Sequence, residues 1–238
     1  ALPLTGANKF WRSRRVMMVA IVLALAGGAM LLLASRWPFA GASPALADLV
    51  PGRRVEGGYV SSQACRQCHE EQFESWHHSY HRTMTQVVSP ETVVAPFDDV
   101  VLETEGREYF LSRKGDEFWV NMPDPEWYLD RNTGDEETRR NLPRKPPQVD
   151  RRVVMSTGSH HMQLYWVVNA STRRIVTLPF VYLFKDQRWV PRSDVFLLDK
   201  PHHTNGPQLQ LWNTVCVSCH AVAGQPRQNN EELLYDTR

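Results

Sequence analysis

Cys65-Arg66-Gln67-Cys68-His69 and Cys216-Val217-Ser218-Cys219-His220 together use all four cysteines of the 238-residue chain. In each, two thiols three positions apart are followed directly by an imidazole, the pattern of covalent c-type haem attachment. The spacing places both sulfurs on one side of a tight turn, where they form thioethers with the two haem vinyl groups. The adjoining histidine then reaches the iron as proximal ligand. The rival chemistry is a single four-thiolate zinc site or a pair of redox dithiols. Neither requires a histidine straight after the second cysteine, and here it occurs twice. The expected cofactor is therefore haem c, bound through Cys65, Cys68, Cys216 and Cys219 with His69 and His220 on the irons. No cysteine is left for a disulfide.

The second axial positions must come from other residues. Nine histidines are present, and seven remain once His69 and His220 are assigned. They fall in three clusters, His77-His78 with His81, His160-His161, and His202-His203. Imidazole is the common strong axial donor, so His81, His160, His161, His203 and His77 are the candidate distal ligands. Met84 and Met162 are weaker alternatives whose ordinary role is apolar filling.

The elements that must position these residues are legible only in part. Glu70 to Met84 contains no Gly or Pro and reads as a helix, on which His77 and His81 would share a face. Val101 to Met122 alternates apolar and polar residues around Gly106 and Lys114-Gly115-Asp116, which predicts a small antiparallel meander. Gln163 to Val168 and Ile175 to Phe184 are strand-like, whereas the polar, Pro-rich Arg131 to Gln148 reads as a loop with a solvated basic cluster at Arg139, Arg140, Arg144 and Lys145. Such short strands are expected to need the haems to complete a core, with Trp76, Trp166, Trp189 and Trp212 covering the porphyrins. The fold class expected is α+β: short helices around the haem motifs and small antiparallel β elements, behind an N-terminal transmembrane helix.

That helix is placed by composition. Val16 to Ala34 is a run of 19 residues without a charge, preceded by Lys9, Arg12, Arg14 and Arg15. It is long enough to span a bilayer, and the basic flank keeps the preceding segment in the cytoplasm. The domain expectation is a cytoplasmic basic segment at 1–15, an anchor at 16–36, a tether at 37–58 and the cytochrome domain at 59–238. A cleaved signal peptide is the alternative, with Ala45-Leu46-Ala47 as the cleavage site. Both place the motifs on the outer, periplasmic face of a bacterial inner membrane, where c-type haem is attached. A formal net charge of +1 gives no sign of nucleic-acid binding.

From Gly58-Tyr59-Val60 onward the chain resembles the multihaem cytochrome c family typified by the tetrahaem electron acceptor of hydroxylamine oxidoreductase, in a membrane-anchored form. The similarity rests on Ser62, Cys65, Cys68 and His69 followed by Trp76, Ser79, His81 and Met84, with weaker likeness at Gly158 to Gln163 and Trp212 to Cys216. It implies that His81 is a distal ligand, often to a haem other than the one attached just before it. Family members usually carry further haem motifs, so the chain is expected to be a fragment or a truncated two-haem relative. The implied role is single-electron transfer between a redox donor and a redox acceptor, since a bis-His haem offers no open site at iron. Two other classes stand beside it: a reductase or oxidase of small nitrogen or sulfur compounds, with Arg151-Arg152 and His160-His161 around a distal pocket, and a haem-containing docking or sensor module.

Overall fold

A computed structural model describes residues 44–52, 60–196, 209–221, 224–229 and 234–237. The segments expected at 1–15 and 16–36, and His203, lie outside these residues. Among the described residues no helix is long and apolar enough to cross a membrane. The chain divides into two units, Ala1–Pro44 and Ala45–Arg238, and the described elements belong to the second.

Among the described residues ten strands follow one another along this unit: β1 (Thr85–Val87), β2 (Val100–Thr104), β3 (Arg107–Lys114), β4 (Glu117–Pro123), β5 (Gln148–Thr157), β6 (Met162–Val168), β7 (Ile175–Leu183), β8 (Arg188–Pro191), β9 (Gln228–Asn229) and β10 (Leu234–Tyr235). β2 to β8 pair in sequence order, each antiparallel to the next. The meander anticipated around Gly106 is present as β2, β3 and β4. Glu105 and Gly106 join its first two strands with φ of 53° and 68°, the left-handed pair that a tight hairpin needs. β1 does not extend this path. It pairs with the C-terminal half of β5, while β4 occupies the N-terminal half of the same edge.

The sheet curls until it is a nearly closed barrel. In a flat sheet β3 and β7, four strand spacings apart, would be separated by about 19 Å. Instead the rings of Tyr109 on β3 and Phe180 on β7 meet with centroids 5.2 Å apart. The interior is lined by alternate residues: Tyr109 and Leu111, Phe118, Val120 and Met122, Tyr165 and Val167, then Val176, Leu178, Phe180 and Tyr182. Phe97, from the connection into β2, packs against Trp189 of β8, whose indole N–H donates to the Pro96 carbonyl at 3.3 Å. Each large apolar side chain so buried contributes roughly 1.5–3 kcal/mol. The barrel thus has a core of its own.

Fold class is therefore corrected from α+β to mainly β with few short helices. The strands were too short for a core only when counted singly; β5, β6 and β7 pair over their lengths and bury both faces. On their outer face Val154, Met155, Trp166, Val168 and Ile175 are covered by Leu49, Trp212 and Val217. Leu49 belongs to a short helix, Leu46–Leu49, inside the stretch read as tether. Trp166 and Trp212 are buried in this layer and Trp189 packs on the barrel core, so of the four tryptophans expected to cover porphyrin Trp76 is the one widely exposed. Arg131 to Gln148 is also more ordered than read: the helices Pro125–Thr133 and Glu136–Asn141 occupy much of it. Asp124 and Asp135 start them, accepting the Glu126 and Thr138 N–H groups at 3.2 and 2.7 Å. The helix expected over Glu70 to Met84 runs from Glu70 to His77 and stops there.

Candidate functional site

Cys65 sits in the four-residue helix Gln63–Arg66, and the chain after it tightens so that the Cys68 and His69 N–H groups both reach the Cys65 carbonyl, at 3.3 and 2.9 Å. This turn leaves both thiols and the His69 imidazole exposed. His69 then caps the helix Glu70–His77, and its carbonyl accepts the Phe73 N–H at 2.9 Å. Phe73 is buried, with the Arg66 guanidinium over its ring. The motif is therefore held from below while its reactive atoms face outward.

The second motif is built differently. Trp212 to Cys216 forms a π-helical turn that passes directly into the short helix Val217–His220. Wide turns of this kind are frequent at functional positions. Asn213 fixes this one: its side-chain oxygen accepts the Ile175 N–H at 2.8 Å, and its amide donates to the Arg173 carbonyl at 3.1 Å and the Thr237 hydroxyl at 2.7 Å. The motif is thereby bound to the start of β7 and to the C-terminal segment at once. Burial pushes the Cys216 thiol above its ordinary range; the neighbouring Cys219 adds to this and the Arg192 guanidinium opposes it.

All four cysteines are free. Among the described residues the sole cluster of three or more metal-donor side chains with ligand atoms within 4.8 Å of one another is Glu74, His77 and His78. The four thiols do not gather at one point, which removes the reading of a single zinc site with four thiolate ligands. The donor set instead fits two separate attachment turns, each with two unpaired thiols and an adjacent exposed imidazole.

The histidines offered as distal ligands are sorted by the fold. His77 ends its helix, stacked on Phe73 with ring centroids 5.2 Å apart. His81 lies beyond it in a turn, so the shared helical face expected for the two does not exist. The helix stops because its last carbonyls are taken by side chains: the Ser79 hydroxyl donates to the Trp76 carbonyl at 2.6 Å and the Arg82 guanidinium to that of His77 at 2.7 Å. The turn brings His81 into the lining of a groove of about 560 Å3, together with Ser79 and with Glu71, Gln72, Ser75 and Trp76 of the helix. His160 and His161 lie in the β5–β6 turn with ring centroids 4.0 Å apart, and the Tyr80 ring packs on His160 at 4.2 Å. That turn is closed by Gly158, at φ 111°, where a Cβ would come within 2.1 Å of the Met162 carbonyl oxygen. The Ser159 hydroxyl donates to the Tyr80 carbonyl and the Gly158 N–H to that of Met84, at 2.9 and 2.6 Å. Thus His81, His160 and His161 come from segments in direct contact at one end of β5 and β6.

Arg151 and Arg152, considered as anion donors, are spent elsewhere. Arg151 pairs with Asp124 at 2.7 Å and Arg152 with Glu117 at 3.0 Å, along the β4–β5 ladder. Sequence reasoning gave no role to Thr85, Thr157 or Asn213, although Asn213 lies in the Trp212 to Cys216 stretch noted for its family likeness.

Residues 64–99 match the family model described as cytochrome c554 and c-prime, a stretch that contains the first motif, its helix, His81 and β1. No curated protein and no solved structure matches the chain. The family match supports a c-type cytochrome with haem c at the motif that begins at Cys65, and it stops short of the second motif.

Proposed function

We propose that the protein is a membrane-tethered, exported cytochrome that carries single electrons on two covalent haems, one at Cys65, Cys68 and His69 and the other at Cys216, Cys219 and His220. The observation that supports it most is the pair of attachment turns, built by unlike local structures, each with two free thiols and an exposed imidazole. A haem attached there supplies reversible Fe(III)/Fe(II) chemistry. The chain's own residues hold it covalently, orient its proximal imidazole and offer distal donors, with His81 first, His160 or His161 second and His203 and His77 after them.

The electron-carrier reading is favoured over a reductase because the two arginines that would recognise a small anion are neutralised by carboxylates. Donor and acceptor are expected to be redox proteins, as for the hydroxylamine oxidoreductase acceptor that the first motif resembles. Expression of the whole chain with a c-type maturation system should give a membrane-bound, salt-resistant protein with two haems by pyridine haemochrome assay. Replacing Cys65 and Cys68 with Ala should leave one. Two haems in that double variant, or none in the parent, would contradict the assignment, and CO binding to the native ferrous protein would turn the reading toward catalysis.

A further inference from the structure

The segments bearing the two motifs communicate through a row of hydroxyl groups. Thr85 Oγ1, on β1, lies 3.5 Å from Nδ1 of His220 and 3.0 Å from Thr157 Oγ1 on the partner strand. Thr157 Oγ1 also accepts the Trp166 Nε1–H at 2.9 Å. The inner two contacts have ordinary hydrogen-bond lengths; the one to His220 is a few tenths of an ångström longer than a formed N–H···O bond, an approach that a small turn of the exposed imidazole closes. On its other side the His220 ring leans on Trp212, with centroids 5.8 Å apart. The exposed ring is therefore neighboured by an indole and approached by a hydroxyl at Nδ1, and Nε2 is the nitrogen left for iron.

The direction of the row follows from its ends. An indole N–H can only donate, and a neutral imidazole bound to iron through Nε2 carries its proton on Nδ1. Nδ1–H of His220 then donates to Thr85 Oγ1, the Thr85 hydroxyl donates to Thr157 Oγ1, and Thr157 uses its two lone pairs for Thr85 and Trp166. The Nδ1, Thr85 and Trp166 protons each have one acceptor, no two donors face one another, and the Thr157 hydroxyl proton points away from the row.

We propose that Thr85 is a positioning residue for His220, fixing its tautomer and ring plane and raising the basicity of its iron-facing nitrogen. The inference rests on the reading of Cys216 to His220 as a haem site. Hydrogen bonding at the outer nitrogen strengthens the imidazole as a donor, which favours ferric over ferrous iron and lowers the potential. Thr85 belongs to the strand that follows the first motif. The β1–β5 pairing therefore lets the first motif's own segment set the potential of the second haem.

The test is spectropotentiometry of the matured full chain, resolving two one-electron components, with Thr85→Val and Thr85→Ser. Valine keeps the branched shape that suits β1 and removes the hydroxyl. It should raise one component by about tenfold in redox equilibrium, equivalent to about 59 mV for one electron, and leave the other in place. Serine should restore the parent value. The component that moves should be the one retained when Cys65 and Cys68 are replaced, and its low-spin electron paramagnetic resonance g values should move with it. Thr157→Val, which removes the acceptor of the Thr85 proton, should shift the same component in the same direction and stands in if Thr85→Val fails to accumulate. Unchanged potentials in both valine variants, a shift confined to the other component, or an equal shift in Thr85→Ser would overturn the role of Thr85. A parent protein that takes up haem at Cys65 and Cys68 alone would instead overturn the two-haem reading beneath it.

Discussion

His81 is the residue on which the distal assignment turns. Its spacing from Trp76 and Ser79 suggests a ligand, and the fold places it off the helix, in an exposed turn facing a groove rather than inside the packed layers. A side chain held by a turn can aim away from its own motif, which a position one helical turn past His77 could not do as freely. In the matured protein, His81→Ala with Met84→Leu should open a sixth position, convert one low-spin haem to high spin and admit CO, as read by absorbance and electron paramagnetic resonance. A fully low-spin spectrum would remove His81 from the ligand set. His160 and His161, already in contact with Tyr80, would then be next.

Elements of quite different make present the two motifs. The first hangs on local structure: a four-residue helix, a turn and a two-turn helix anchored by Phe73. The second depends on tertiary partners, because the π-helical turn from Trp212 to Cys216 is held by one buried amide that reaches β7 and the C-terminal segment. Asn213→Ala leaves the Ile175 N–H and the Thr237 hydroxyl to find new partners inside the protein. A buried polar group left unpaired costs about 1–3 kcal/mol, so the loss should be about 2 kcal/mol or more in urea unfolding. Haem occupancy at Cys216 and Cys219 should fall with it, while occupancy at Cys65 and Cys68 should hold, both measured by mass spectrometry of tryptic haem peptides. Equal loss at both motifs would show that they do not depend on separate supports.

At the scale of the whole molecule, the barrel interior sets an alkaline limit. Tyr109 and Tyr165 are fully buried, and burial pushes both phenols above their ordinary range. The folded protein thus holds their protons more tightly than the unfolded chain. For a group whose pKa is raised on folding, the stabilisation is complete below the unfolded value, near pH 10, and is lost as pH rises beyond it. Each tyrosine should subtract about 1.4 kcal/mol per pH unit in that window. Urea midpoints at pH 9, 10 and 11 should be level to the middle value and then fall. The Tyr109 hydroxyl has no hydrogen-bond partner among the described residues. Tyr109→Phe should therefore change the midpoint at pH 9 little and flatten the decline above pH 10; an unchanged slope would mean that this phenol does not stay protonated.

The two attachment patterns are legible in sequence alone, because a thioether pair with its proximal imidazole is a matter of covalent spacing within five residues. The β2–β4 meander was likewise readable, since a two-residue period of burial is written locally, and the strands around Tyr165 and Leu178 were readable as short apolar runs buried on both faces. Closure of those strands into a barrel was not. Curl arises when rings such as Tyr109 and Phe180, 71 positions apart by subtraction of their numbers, find one interior, and no window of sequence contains both. The end of the helix at His77 was missed for a related reason: its terminal carbonyls are captured by the side chains of Ser79 and Arg82, which carry no Gly or Pro to announce a stop. Only the tertiary structure could bring Thr85 to His220, because strand register, decided by which faces are buried, determines which hydroxyl a distant imidazole meets.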